Sequence, residues 1–333
     1  MLRIATSLLL STLLTAPACA ASAADGPAAP AAGAAPGPAA SATDLEYLSD
    51  FFCFAGGDEK GRVVFAFDAN RGRKGTEEQA EYFAVLWVEG DGWRKLSGTG
   101  DLAGTDVSYE SIPSTASFAV TGTALAGITV ASPPNGLELV AQPIEIRRSS
   151  EDAGARFDTG SSRASLTLGE RRFEGRVSYE FCHLPDKNPL VKTYTDLFGD
   201  GYHGVYAFVG EAATADDLRF HRSGGTLRPL VGRFAGFATR GAQTLAVTGE
   251  PAFKISNLSL GGFFRWPGRY RASWNVPAAE NASPTAVAFD VRLKDRETLV
   301  NYVFGGVAVA IVDGSVTRDG VEQPAFGLAL IVR

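Results

Sequence analysis

Short runs in which apolar and polar residues alternate fill the chain from about Asp44 to Arg333, and glycine-centred turns break them every few residues. Phe51-Phe52-Cys53-Phe54 leads into Gly56-Gly57-Asp58-Glu59-Lys60-Gly61, and Arg62-Val63-Val64-Phe65-Ala66-Phe67-Asp68 follows as the second strand of a hairpin. The run 80–88 meets Glu89-Gly90-Asp91-Gly92 and continues as Trp93-Arg94-Lys95-Leu96. The Asp-Gly pair there supplies the positive φ that a tight hairpin requires. The same reading predicts strands over 116–120, 127–130, 137–139 and 144–147. A second series covers 175–184, 204–209, 218–221, 232–238, 244–248, 258–266, 270–274, 286–293, 299–304, 307–316 and 325–332. No twelve-residue window carries a strong helical stripe, and the best helix candidate, 76–81, is short. The stretch 149–163 is polar and aperiodic and reads as a linker or long loop. The expectation is an all-β protein of two barrels or sandwiches packed together, an N-terminal domain over 44–165 and a C-terminal one over 166–333.

The first 43 residues follow different rules. Arg3 and the apolar run 4–14, followed by Ala18-Cys19-Ala20, form a secretory signal over 1–20. The apolar run is shorter than the roughly 20 residues of a spanning helix, and no later stretch reaches that length without charges, so no membrane span is expected. Cys19 would also suit a lipid anchor, with Ala16 where a large aliphatic residue is usual. The Ala/Pro/Gly-rich segment 21–43 then serves as a disordered linker or tether. A periplasmic or secreted location follows, with an outer-membrane lipoprotein as the variant.

Composition narrows the partners. With 31 basic and 37 acidic side chains and no Lys/Arg block, the chain lacks the footprint of a nucleic-acid binder. Its 38 glycines and 21 phenylalanines suit many short strands and tight turns, and its one Met excludes a Met-lined groove.

The C-terminal pattern carries a resemblance. Phe263-Phe264-Arg265-Trp266-Pro267 with Arg269-Tyr270-Arg271 and Trp274, then Gly305-Gly306, Val312-Asp313-Gly314, Val316, Asp319-Gly320 and the closing Phe326-Gly327-Leu328-Ala329 resemble the last strands of the lipocalin-like AttH and carotenoid 1,2-hydratase group. The aromatic strand, glycine turn and 63–68 strand of the N-terminal half are similar in style. The resemblance implies two calycin-type antiparallel β-barrels in tandem, in a group that includes carotenoid hydratases and terpenoid-type cyclases. Members often carry Glu shortly after the terminal Gly, where this chain has Leu330.

Local catalytic motifs are few. No Gly-x-Ser-x-Gly elbow, phosphate-binding loop or dinucleotide fingerprint occurs. His183, His203 and His221, with Glu180 or Glu211, have no metal-ligand spacing, and separate strand or rim positions are the reading taken; no metal or other cofactor is expected. Polar residues inside apolar strands say more. Glu81 shares a strand face with Phe83, Val85 and Trp87; Glu180 shares one with Ser178 and Cys182; His203 and Tyr206 flank Gly204. A carboxylate facing an apolar interior has its proton affinity raised, as a general acid requires. Glu81, Glu180 and His203 are therefore the catalytic candidates, the bland reading being solvent exposure or neutralisation by Arg71, Arg73 or Arg265. Trp87, Tyr206, Arg265, Trp266, Tyr270 and Trp274 are the ligand-binding candidates, against a plain barrel core.

Three functions fit: binding or processing of an apolar small molecule of carotenoid, terpenoid or lipid class in a barrel cavity; a hydratase, isomerase or cyclase acting through a buried carboxylate; and a non-catalytic envelope module for glycan or protein. Cys53 and Cys182, one assigned to each half, are candidates for a disulfide.

Overall fold

The computed structural model describes residues 45–332 except 75–76, 99–101, 104–110, 186–200, 211–214, 225–229, 231, 262–263, 278–283 and 303–304. The expectations for the signal, Cys19, the linker 21–43, Glu211 and Phe263 lie outside the described residues. Twenty-two strands account for nearly all of the described chain. The first eleven are β1 (Leu45–Asp58), β2 (Gly61–Lys74), β3 (Glu77–Val88), β4 (Gly92–Lys95), β5 (Leu102–Ala103), β6 (Ala119–Thr123), β7 (Gly127–Ser132), β8 (Leu137–Ala141), β9 (Glu145–Asp152), β10 (Ala155–Leu168) and β11 (Arg171–Pro185). The remainder are β12 (Tyr202–Val209), β13 (Asp216–Arg222), β14 (Phe234–Arg240), β15 (Gln243–Ala246), β16 (Ala252–Ser256), β17 (Ser259–Gly261), β18 (Phe264–Trp266), β19 (Arg269–Val276), β20 (Thr285–Tyr302), β21 (Gly305–Arg318) and β22 (Val321–Val332).

Apart from the separate β17–β18 pair, they build two curled antiparallel half-barrel sheets with one plan, the tandem lipocalin-like arrangement. The first runs β4-β3-β2-β1-β11-β10-β8-β7-β6, and the second β15-β14-β13-β12-β22-β21-β20-β19-β16. In each, the last long strand returns to pair with the first: β11 with β1, and β22 with β12. The 89–92 hairpin is as read, with Gly90 and Gly92 at φ 90° and 77°.

Three expectations change. The stretch 149–163 is no linker: β9 and β10 form a hairpin through Ala153 and Gly154, both at positive φ (49° and 81°). Its polarity misleads because β9 lies open to solvent at the side of the sheet, with no apolar face to reveal a period of two. Of the segment 76–81, the described residues 77–81 are the start of β3, not a helix. Strand β11 closes the first sheet, so the change of sheet falls between 185 and 202 rather than at 165/166.

The period of two divides each strand between a barrel interior and the contact between barrels. On β1, Leu48, Phe52 and Phe54 enter the first core, while Phe51, Cys53 and Ala55 face the second barrel. The facing wall comes from Tyr206, Phe208, Val309, Ile311 and Leu328.

Candidate functional site

One row of side chains crosses the first sheet on its inter-barrel face. Pairing places Thr159 opposite Glu180, Glu180 opposite Phe51, Phe51 opposite Asp68, and Asp68 opposite Phe83. The next row holds Phe157, Cys182, Ser49, Asn70 and Glu81. Each row therefore mixes carboxylates with rings; the first row meets the second barrel through Glu180 and Phe51, and the next row through Phe157 beside His221.

At Glu180 the second barrel answers with β12 and β13. Arg219, its side chain 1% exposed, forms an ion pair with Glu180. Arg219 also donates to the Tyr202 hydroxyl at 2.6 Å and lies 3.9 Å over the Tyr206 ring. Tyr206 donates to the other carboxylate oxygen, and the two phenol oxygens are 3.1 Å apart. Gly204 makes this convergence possible: a Cβ there would lie 2.8 Å from the Tyr202 ring and 3.0 Å from that of Tyr206. Burial raises both phenols far above their ordinary range, so both remain protonated donors.

Beside this cluster lies a narrow apolar slot of about 70 Å3. Phe51, Phe83, Val85, Leu299, Val309 and Leu330 wall it, Lys95 stands at its exposed side, and Asp68 is its one carboxylate. Phe51 links slot and cluster, its ring 4.9 Å from that of Tyr206. Ser49 donates to Asp68 at 2.8 Å. Even so, burial pushes the Asp68 carboxyl up to about 6; Ser49 and Asn70 oppose the shift, and the neighbouring Asp50 and Glu81 carboxylates add to it. Glu81, half-buried in the adjoining row, is also raised by burial. Lys95 is held at the mouth by a 3.0 Å hydrogen bond to the Leu299 carbonyl. A carboxylic acid poised near neutrality in an apolar slot is equipped to deliver a proton to a substrate that has no basic atom of its own.

The candidates read from the sequence separate cleanly. Glu180 and Tyr206 come together on the inter-barrel face, and Glu81 lies three strands from Glu180 in the adjoining row. Glu180 is neutralised by Arg219, while Arg71 pairs with Asp50. His203 points the other way, into the second barrel, where its Nδ1 lies 2.6 Å from the Tyr270 hydroxyl. Trp274 belongs to that barrel's core, and Trp87 packs between the barrels against Phe326, ring centres 6.0 Å apart. Trp266 is buried beside Ala308 and Ile331, whereas Arg265 is exposed on the β17–β18 pair. Of the other histidines, His183 is paired with Leu48 on the first sheet and His221 lies between Phe157 and Tyr202.

Asp68, Arg219 and Tyr202 were missed, although they carry the same signal as Glu81. Phe67-Asp68-Ala69 and Leu218-Arg219-Phe220 each set a charge inside an apolar strand. Cys53 and Cys182 are both free, and both lie in the first barrel.

These features define a tandem β-barrel protein with a polar, partly apolar seam. No family model matches the chain, and no curated protein matches it. Solved structures do. CghA aligns at TM-score 0.53 and 13% identity, over 86% of this chain and 88% of that one, and a CghA structure with Sch210972 at 0.51. A Nitrosomonas europaea structure described as an AttH aligns at 0.51 and 9% identity, over 86% and 92%. Kievitone hydratase from Nectria haematococca aligns at 0.48 and 10%, over 87% and 89%. The architecture is that of the AttH-like fold.

Proposed function

We propose that this protein binds the end of an apolar chain, of isoprenoid or lipid class, in the inter-barrel slot and protonates an alkene there, as a hydratase or isomerase would. The observation that carries the reading is Asp68, a carboxyl whose pKa is raised to about 6 by burial, inside a slot whose other walls are apolar apart from Lys95 at its mouth. A volume of about 70 Å3 takes a few carbon atoms, so a chain terminus fits and a whole polycycle does not. CghA, with Sch210972 in its crystal, lends support as a protein of like fold that holds a small molecule.

The chemistry closes with the groups present. The Asp68 proton goes to the less substituted carbon of the terminal alkene and leaves a cation on the more substituted one. The faces of Phe51 and Phe83 suit that charge, and Lys95, tied to Leu299, is kept at the mouth. Water adds to the cation, and the proton it releases returns to the Asp68 carboxylate. Loss of a different proton instead gives the isomer. Tyr206, fixed by Glu180 and Arg219, holds Phe51 in place as a positioning residue. The export signal adds the proposal that this happens outside the cytoplasm, which N-terminal sequencing of protein from its host checks.

Incubation with an acyclic isoprenoid in D2O tests the reaction. Deuterium should enter the less substituted carbon of the terminal alkene, the rate should fall from pH 5 to pH 8 as Asp68 ionises, with about a tenth of it still protonated at pH 7, and Asp68→Asn should abolish turnover. Full turnover by Asp68→Asn would refute the assignment.

A further inference from the structure

The first barrel contains a cavity that the inter-barrel slot does not use. It measures about 350 Å3, within the range of small-molecule sites and too large to be a packing defect. Its walls are aliphatic, with Ile112, Ile128 and Ile146, and its floor is charged. Asp50 interrupts the apolar interior positions Leu48, Phe52 and Phe54 of β1, and Arg71 enters the same interior from β2; their side chains are 8% and 1% exposed and form an ion pair. Tyr179 donates to Asp50 at 2.5 Å, and Arg71 donates to the Ser111 carbonyl at 2.8 Å. At the rim, Arg156 pairs with Asp158 at 2.7 Å, beside the Gly122–Leu125 turn, whose Leu125 is 64% exposed.

Stability does not explain this floor. Replacing a buried ion pair by apolar residues of like volume is often neutral or stabilising, and the second barrel fills its interior with rings instead. A polar floor beneath aliphatic walls is the pattern of a site that orients a guest by one end. The charge balance limits the guest further. Asp50 and Arg71 cancel, as do Asp158 and Arg156, so an ionised guest would meet no free counter-charge and would keep its full desolvation cost.

We infer that the interior of the first barrel is a second binding site, for an uncharged amphiphile whose hydroxyl or carbonyl meets Asp50, Arg71 and Tyr179 while its aliphatic body lies along Ile112, Ile128 and Ile146. The site is distinct from the slot at Asp68 and does not depend on the chemistry there. A guest hydroxyl donates to an Asp50 oxygen and accepts from a floor donor, which neither an alkane nor a carboxylate can do in full.

Titration calorimetry of the full chain with decan-1-ol, decanoate and decylamine tests it, with transferred-NOE contacts to the Ile128 and Ile146 methyls as a second readout. Decan-1-ol should bind at least ten times more tightly than either ion and should show those contacts. Ala124→Trp, which fills the mouth, should weaken it at least tenfold; Thr123→Trp at the same turn serves if that variant does not fold. Asp68→Asn should leave the affinity unchanged, which separates this site from the slot. Three results would overturn the inference: no binding of the alcohol, meaning a merely hydrated cavity; equal affinity for decanoate; or loss of binding in Asp68→Asn with Ala124→Trp unaffected.

Discussion

In the second barrel, Phe220 is surrounded by Phe234, Phe253, Trp274 and Phe289, with ring centres between 5.2 and 6.2 Å away. In the first, rings such as Phe52, Phe65, Phe67 and Phe118 fill one part of the interior, while Asp50, Arg71 and Tyr179 border a cavity in another. The strand order is the same, so topology did not set the difference. What differs is the surroundings of the interior polar groups: the second barrel packs rings around Phe220 and carries its buried ion pair, Arg318–Asp216, at the ends of β21 and β13, whereas the first places Asp50 and Arg71 beside a cavity. One barrel is built as a filled wall and the other to hold something. The seam between them is walled by apolar residues of both barrels, and the arginine that neutralises Glu180 comes from the second.

Truncation separates the two interiors most strongly. Phe220→Ala removes the hub of a close-packed ring cluster and should cost about 5 kcal/mol, the upper end for such a change. Ile128→Ala, at the wall of an existing cavity, should cost about 2 kcal/mol, because few contacts remain to be lost on its open side. Urea denaturation of both variants measures this, and equal losses would erase the contrast between a filled and a holding barrel.

The seam comes next. Arg219→Met alone leaves Glu180 charged, buried and unpaired, and should cost about 4 kcal/mol. Glu180→Gln combined with Arg219→Met should recover most of that, to within about 1 kcal/mol of the parent. A double variant as unstable as the single one would show that the pair does more than cancel its own burial.

Much of this plan was legible in the strands. Alternation in 51–54, 62–68 and 80–88 gives both the hairpins and the two faces, and it marks Glu81 and Glu180 as polar intrusions. The hairpin over 149–163 was not legible, because strand β9 is too exposed to leave an apolar trace. Nor could the sequence tell which face of a strand meets a barrel interior and which meets the other barrel, since both are apolar. Tyr206 and Tyr270 look alike on paper, yet one faces the seam and the other a closed core. Asp50 and Asp68 fall on opposite faces of adjacent strands for the same reason, and only the pairing of Phe51 with Asp68 assigns the latter to the slot.

A smaller effect tests Asp68 itself. Its carboxyl ordinarily ionises near 3.8 and does so near 6 in the folded chain. A raised carboxyl stabilises the fold while protonated, so that contribution is complete below about pH 4 and is lost as pH rises through 6. Asp68→Asn, which keeps an oxygen for Ser49, should therefore leave stability unchanged at pH 3.5 and raise it by about 2 kcal/mol at pH 8, less whatever water in the slot screens. Melting curves at the two pH values decide it. A variant destabilised at pH 8 would mean that the charge is held by a partner and that the acid is not poised.

The smallest expected effect concerns the two cysteines, and it tests the register on which the row through Phe51 and Asp68 rests. Cys53 pairs with Ser178 and Cys182 with Ser49, so the two thiols face the seam four residues apart along β11. At about 3.3 Å per residue that is roughly 13 Å, well beyond the roughly 7 Å that a disulfide spans. Burial pushes both thiols far above their usual range, which leaves them without the thiolate needed for exchange. Reductant should therefore shift stability by less than about 0.5 kcal/mol, the size of a neutral surface change. Alkylation of the native chain should leave both residues unmodified, and alkylation after denaturation without reductant should label both, as peptide mass spectrometry reads directly. A Cys53–Cys182 linked peptide from monomeric protein would require β1 to slide along β11. That slide would carry Phe51 away from Glu180, and the row that joins Glu180 to Asp68 would no longer exist.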